Sequence, residues 1–397
     1  MKEKLAIYGG KAIRDSFLSY GKQHIDEDDI NAVVNTLKGD YLTTGPTVRE
    51  FEQKVADYVS AKYAVAVSNG TAALHIACLA AGIKEGDEVI VPPITFAASS
   101  NCVLYCGGKP VFVDIDPTTY NIDSREIEKK ITDKTKAIIP VDFTGQAVDM
   151  DEIRKIADKH NLIIIEDGAH SLGSEYKDKK VGTLADITTF SFHPVKPITT
   201  GEGGMIVTND EELYKKMMLF RSHGITRDEN LLTYNEGPWY YEQIELGYNY
   251  RITDIQCALG LSQMDKLCDF IKRRREMANI YNNAFKDIEE ITIPFEAKYS
   301  NSGWHLYVIK LNLDKLECTR KEIFEALKAE NIGVNVHYLP VYLLPYYQKL
   351  GYKKGICLNA ENLYERIITL PLFPKMSNKD LQDVVNAINK VITYYRK

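Results

Sequence analysis

Tyr63-Ala64-Val65-Ala66-Val67-Ser68-Asn69-Gly70-Thr71-Ala72-Ala73-Leu74 passes from a short apolar stretch, through a Ser-Asn-Gly-Thr junction, into a small-residue segment that runs on to Ala81 and stops at Gly82. The first part reads as a strand over 63–67 and the last as a helix over 72–81. The same succession returns downstream, with strand 88–92, helix 97–106 and strand 110–114, then strand 137–141, helix 150–160 and strand 162–166. Alternating strands and helices predict an α/β sheet rather than a bundle or a sandwich. The unbroken apolar run Leu162-Ile163-Ile164-Ile165 suits a strand covered on both faces. In such sheets ligands gather beyond the carboxyl ends of the strands.

The candidate chemistry falls at those ends. Gly70, Thr71 and Ala72 sit at a strand-to-helix junction, where free backbone N–H groups and the helix dipole favour an anion such as phosphate; an ordinary N-cap reads the same way. Phe96 follows the strand 88–92 and suits either stacking on a ring or a place in the core. Asp167, with His170 three residues on, follows the strand 162–166; it suits a partner for a protonated ring nitrogen, a helix cap or a magnesium ligand. Ser191 ends the run Ile187-Thr188-Thr189-Phe190, and Lys196 lies between it and the return strand 205–207, entered through Gly201, Gly203 and Gly204. A lysine in apolar surroundings, its charged form disfavoured, can attack an aldehyde and later move protons, which is what pyridoxal phosphate chemistry requires.

Composition narrows the alternatives. The chain of 397 residues is 45% hydrophobic, enough for one large core or two smaller ones. Its 55 acidic residues outnumber 49 basic ones, and no long basic block is present, which argues against nucleic acid or an anionic membrane as partner. The first residues lack the apolar core of a signal peptide, and no apolar run approaches the roughly 20 residues that span a bilayer; the expectation is a cytoplasmic protein. Seven dispersed cysteines read as reduced core thiols. Cys102 and Cys106 are four apart, but no second Cys or His pair follows at zinc-like spacing, so no metal is expected.

A long, charge-rich helix over 254–285, expected to be broken or bent once, separates the sheet region from a smaller α+β tail: strand 304–311, helix 320–330, strand 334–338 and a closing helix over 379–394.

In their order along the chain, Ser68-Asn69-Gly70-Thr71-Ala72-Ala73-Leu74, Glu166-Asp167-Gly168-Ala169-His170-Ser171-Leu172-Gly173 and the segment 190–204 resemble the DegT/DnrJ/EryC1/StrS family of nucleotide-sugar aminotransferases. The likeness covers nearly the whole chain, from Gln23 and from Leu42-Thr43-Thr44-Gly45-Pro46 onward. Phe192-His193-Pro194-Val195-Lys196-Pro197, Leu219-Phe220-Arg221-Ser222-His223-Gly224, Trp239-Tyr240-Tyr241-Glu242-Gln243 and Val336-His337-Tyr338 are most similar to the branch that makes UDP-4-amino-4,6-dideoxy-N-acetyl-β-L-altrosamine for pseudaminic acid.

That resemblance implies the type I fold of aspartate aminotransferase, a large mixed-sheet cofactor domain over 1–265 with a connector helix and small domain over 266–397, and a homodimer with shared active sites. Pyridoxal 5′-phosphate is the implied cofactor, L-glutamate the amino donor and a UDP-linked 4-keto-6-deoxy sugar the acceptor, with UDP-D-gluco, TDP and GDP types as alternatives. By position, Lys196 bonds the cofactor and shuttles protons, Asp167 pairs with the pyridine nitrogen, His170 contacts the phenolic oxygen, and Phe96 covers the ring. Gly70, Thr71, Ala72 and Ser191 hold the phosphate, with Asn249 reaching the partner subunit's phosphate; His337 and Tyr338 lie near the sugar nucleotide. A sugar dehydratase of the same superfamily replaces the lysine with histidine, and a nicotinamide enzyme needs a glycine-rich first βα turn that is missing here. A non-catalytic protein on the same fold is the remaining alternative.

Overall fold

A computed structural model describes residues 3–397. Strands β1 (Tyr63–Val67), β2 (Glu88–Val91), β3 (Lys109–Phe112), β4 (Thr135–Ile138), β5 (Ile163–Asp167), β6 (Ile187–Ser191) and β7 (Gly204–Thr208) form one seven-stranded sheet in the order β1-β7-β6-β5-β4-β2-β3. Neighbours from β6 through β3 pair in parallel, and β7 alone runs antiparallel, against both β6 and β1. All strands but β7 therefore point their carboxyl ends to one edge. Helices α1 (Gly70–Ala80), α2 (Ala98–Tyr105) and α3 (Met150–His160) follow β1, β2 and β4.

Period-two alternation sorts the sheet's side chains into two cores. Val65, Val67, Val89, Val91, Ile165 and Ile187 pack with α1 and α2, while Ala64, Ala66, Ile90, Ile138, Ile164 and Phe190 pack on the other face with α3. A third core gathers around a three-stranded sheet of β8 (Ile291–Thr292), β9 (Tyr307–Leu311) and β10 (Ile367–Leu370), covered by α5 (Arg320–Ala329) and α6 (Asn378–Tyr395). Leu5 and Leu18, from the start of the chain, pack in this third core. The proposed division at 265/266 is thus crossed in both directions, since Leu5 and Leu18 help to fill the third core while Leu306, Val308, Tyr342 and Tyr347 pack in a core of the large sheet.

The connector, α4 (Asp254–Phe285), corrects one of the two expected alternatives, the break: its 32 residues form a single continuous helix. Thr253 and Gln256 close its start as a capping box, and no proline interrupts it. Cys257, Met264, Leu267 and Ile271 anchor its first half in a core of the large sheet, and Met277, Tyr281 and Phe285 anchor its second half in the third core. Between these halves Arg274 is fully buried and donates Nη1 to the carbonyls of Trp304, His305 and Leu372.

That arginine also explains a second correction. The strand expected over 304–311 begins only at Tyr307, because Trp304 adopts a left-handed backbone (φ 48°) and the carbonyls of residues 304 and 305 are already engaged by Arg274. The strand expected over 334–338 is reduced to one bridge, Asn335 to Thr369. There the Val336 N–H donates to Asn335 Oδ1 at 2.8 Å instead of to a neighbouring strand, a local side-chain bond that competes with sheet pairing. This irregular segment carries His337 and Tyr338 into the site.

Candidate active site

The carboxyl edge of the sheet opens into a cavity of about 940 Å³ lined by residues from both parts of the chain. Gly70, Thr71, Ala72, Phe96, Asp167, His170, Ser191, Lys196, His337 and Tyr338 all lie on its wall. Asn249 does not; it is exposed beyond the cavity, its backbone bridged to Ser222.

At one end the cavity meets the start of α1. Asn69 caps this helix, its Oδ1 accepting from the Ala72 N–H at 2.8 Å. Ala72's N–H is therefore taken by the cap, whereas the N–H groups of Gly70 and Thr71 occupy the first two helical positions, which have no intrahelical acceptor. Two glycines let three segments meet here. A Cβ on Gly70 would lie 2.9 Å from Ser191 Cβ, and a Cβ on Gly204 would lie 2.5 Å from the Asn69 carbonyl oxygen. The result is a cradle of two N–H groups and the Ser191 hydroxyl at the positive end of a helix dipole, suited to a phosphate.

Lys196 enters from the turn between β6 and β7. Its own N–H donates to the His193 carbonyl at 2.9 Å, and Thr199 Oγ1 and Thr200 N both donate to the Phe192 carbonyl, folding the turn back on itself. Gly201 (φ +81°) completes the reversal in a backbone region that L side chains rarely adopt. Lys196 keeps some accessible surface because the cavity opens on it, yet protein crowds it closely enough that desolvation lowers its amine to about 8, against the attraction of Asp167. It is the only lysine or arginine among the described residues lining the cavity.

Asp167 is the last residue of β5 and is buried. Burial raises its carboxyl above the ordinary value, while hydrogen bonds from Ser99 (2.6 Å, to Oδ2) and the Ala169 N–H (3.1 Å, to Oδ1), together with the Lys196 charge, act in the opposite direction. His170 stands next to it. Burial, and then Lys196, holds its imidazole well below the usual range, so the ring is neutral. Its Nε2 meets the Tyr338 hydroxyl at 3.3 Å, and its buried Nδ1 has no hydrogen-bond partner among the described residues.

The opposite wall comes from the smaller part of the chain and from the N-terminal segment. His337 Nδ1 meets Thr369 Oγ1 at 2.9 Å and its Nε2 meets Asn335 Nδ2 at 3.3 Å; burial lowers this imidazole to about 4. The Tyr20 ring lies 5.3 Å from that of His337, and the Phe96 ring 6.4 Å from that of Tyr338. Phe96 remains 62% exposed, with a face free for a flat ligand. His305, also buried and held neutral by burial, packs with its ring centre 4.4 Å from that of His170, the two planes tilted by 45°.

Among the wall residues to which the sequence reading gave no role are Tyr20, Thr95, Ser99, His305 and Asn335. Thr95 and Ser99 flank Phe96 at helical spacing, a signal that was present but common. Tyr20, His305 and Asn335 arrive from distant segments, and nothing local marks them.

The site fits a phosphorylated pyridine aldehyde. The phosphate cradle, a buried carboxylate for the ring nitrogen, an unpartnered His170 Nδ1, an exposed aromatic face and an amine of lowered basicity line one cavity. Among the described residues no cluster of His, Cys, Asp or Glu could hold a metal ion, and no helix is long and apolar enough to cross a membrane.

Comparison with known proteins points the same way. The model of the DegT/DnrJ/EryC1/StrS aminotransferase family matches residues 23–389. An uncharacterised Methanocaldococcus jannaschii protein, MJ1066, is 48% identical, covering 97% of this chain and 100% of its own. The UDP-4-amino-4,6-dideoxy-N-acetyl-β-L-altrosamine transaminase of Campylobacter jejuni is 40% identical over 96% of this chain and 99% of its own, and the GDP-perosamine synthase of Escherichia coli O157:H7 is 41% identical over 93% and 94%. Among solved structures, Helicobacter pylori PseC, an aminotransferase of pseudaminic acid biosynthesis, superposes with a TM-score of 0.89 at 35% identity over 96% of this chain and 100% of that one. Spr1654 of Streptococcus pneumoniae, solved in PLP and PMP forms, gives 0.89 at 32% identity over 95% and 99%.

Proposed function

The chain belongs to the DegT/DnrJ/EryC1/StrS aminotransferase family and is a pyridoxal-phosphate-dependent sugar-nucleotide aminotransferase; from that premise we propose that it moves the amino group of L-glutamate to C4 of a UDP-linked 4-keto-6-deoxy-N-acetylhexosamine. The products are UDP-4-amino-4,6-dideoxy-N-acetyl-β-L-altrosamine and 2-oxoglutarate. The observation that carries the chemistry is Lys196, an amine of pKa about 8 sharing a cavity with the buried Asp167. The sugar assignment is supported by the Campylobacter transaminase and by PseC.

Pyridoxal phosphate, when bound, supplies an aldehyde that accepts the amino group and a ring that draws electrons from the carbon losing a proton. The chain's residues do the rest. Gly70 and Thr71 N–H and Ser191 Oγ bind the phosphate, Phe96 covers one face of the ring, and Asp167 keeps a negative charge at its nitrogen. His170, neutral, hydrogen-bonds the phenolic oxygen. Lys196 Nζ takes the α-proton of glutamate in the first half-reaction and returns a proton to C4 of the sugar in the second, so one base near its own pKa serves both. His337 and Tyr338 orient the sugar nucleotide. In a cytoplasmic homodimer, Asn249 extends to the partner subunit's phosphate, which accounts for its place outside its own cavity.

A second reading has its own support: the GDP-perosamine synthase is as similar as the Campylobacter enzyme, which makes a GDP-linked 4-keto sugar the rival acceptor. Incubation with glutamate and a panel of UDP-, TDP- and GDP-linked 4-keto-6-deoxy sugars, followed by identification of the amine, separates the two. The expected outcome is the L-altro 4-amine from the UDP substrate; amination of the GDP sugar alone would favour the rival.

A further inference from the structure

Asp167 is approached from behind by a chain of two hydroxyls. Ser99 Oγ lies 2.6 Å from Asp167 Oδ2, and Thr95 Oγ1 lies 2.7 Å from Ser99 Oγ; all three residues are buried. The two hydroxyls are four residues apart at the opening of α2, in the same turn that presents Phe96, whose carbonyl accepts from the Ser99 N–H at 3.2 Å.

The direction of the chain follows from proton counting. Ser99 has one hydroxyl proton and three acceptors within reach, the Asp167 carboxylate at 2.6 Å, the Thr95 hydroxyl at 2.7 Å and the Phe96 carbonyl at 3.2 Å. The shortest, charge-assisted bond takes it. Thr95 is then the donor to Ser99, and each bond polarises the next toward the carboxylate. The Ala169 N–H holds the other oxygen, so two donors on two oxygens fix the plane of the carboxylate.

We propose that Ser99, backed by Thr95, is a positioning residue for the aminotransferase reaction, holding Asp167 in one orientation and in its ionised form at the nitrogen of the cofactor ring. The proposal rests on the role of Asp167 given above. Its physical need is plain: burial favours the neutral acid, and a neutral Asp167 would give up the charge that keeps the ring nitrogen protonated. Ser99 is the first of the groups that oppose this. The same turn ties the ring-covering Phe96 to the carboxylate beneath, so the two contacts with the ring move as one unit.

The test uses the pyridoxal-phosphate-loaded enzyme and the variants Ser99→Ala, Ser99→Thr and Thr95→Val. The readouts are the visible absorbance of the bound cofactor against pH, its dissociation constant by dialysis, and pH profiles of kcat and KM for glutamate. Wild type is titrated first, so that a failure of the cofactor reading shows there, and a failure of the Ser99 assignment shows only in the variants. Ser99→Ala is expected to lower kcat about 10- to 100-fold, the range of a hydrogen bond to a charged group, with KM for glutamate within about twofold. Removing a donor that stabilises the carboxylate raises the pKa of Asp167, so the acid limb of the profile moves toward higher pH and the cofactor band shifts with it. Ser99→Thr, which keeps the hydroxyl, restores both; Thr95→Val moves them the same way by less. Superimposable acid limbs and spectra in Ser99→Ala and wild type would overturn the proposal. Should Ser99→Ala fail to fold, an unchanged acid limb in Thr95→Val would do so.

Discussion

The two walls of the cavity are built by opposite means. On the cofactor side, Gly70, Thr71, Asp167, Ser191 and Lys196 stand on the ends of adjacent strands or in the turns that leave them, and they carry the charges and the oriented N–H groups. On the other side, Tyr20, His305, Asn335, His337 and Tyr338 come from the N-terminal segment and the smaller part of the chain, and burial holds the imidazoles of His305 and His337 neutral. The chemistry is placed by the sheet, where each strand fixes its neighbour. The opposite wall, to which we assign recognition of the sugar nucleotide, is placed by irregular segments that can vary without disturbing the sheet.

If that contrast is right, the walls fail differently when mutated. The largest effect is expected for Lys196→Ala, which removes the only lysine lining the cavity among the described residues and should lower turnover by at least about 10³-fold in both half-reactions, measured as 2-oxoglutarate release and as sugar amination. Asp167→Asn should cost about 10²- to 10³-fold, again in both halves. A loss confined to the sugar half would break the comparison.

His337→Ala, on the other wall, should raise KM for the nucleotide sugar about tenfold while leaving the glutamate half-reaction within about twofold. Equal losses in the two halves would move His337 to the cofactor side. The smallest effect is a titration. Lys196 of the apo-protein should react with an amine-directed reagent with a pH midpoint near 8, followed by peptide mass spectrometry: it is protonated and unreactive below, neutral and reactive above. A midpoint at the ordinary lysine value of 10.5 would remove the desolvation argument.

The same contrast explains what could be read in the sequence. β1, α1, α3 and β6 were legible because apolar runs, a Ser-Asn-Gly-Thr junction and helical periodicity are local signals, and the cofactor wall inherits that legibility. Lys196 gained meaning only from the order of Gly70, Asp167 and Ser191 along the chain. The other wall was hidden for physical reasons. Trp304 and His305 do not form the strand that their apolar neighbours suggest, because Arg274, thirty residues earlier on α4, engages their carbonyls. Asn335 takes its neighbour's N–H and unmakes a second expected strand. Tyr20 reaches the cavity from a segment whose Leu18 is fixed by packing in the third core. The unbroken α4 likewise depends on cores at both of its ends, which a charge-rich sequence does not announce. Ser99 is intermediate: its spacing from Thr95 was visible, and its partner on another strand was not.

Every proposed step depends on Lys196 being the residue that bonds the cofactor. Borohydride reduction of the protein loaded with pyridoxal phosphate makes such a bond permanent, and peptide mass spectrometry locates it. The predicted result is one modified peptide, carrying the added pyridoxyl phosphate mass on Lys196; modification of another lysine, or of none, would contradict it.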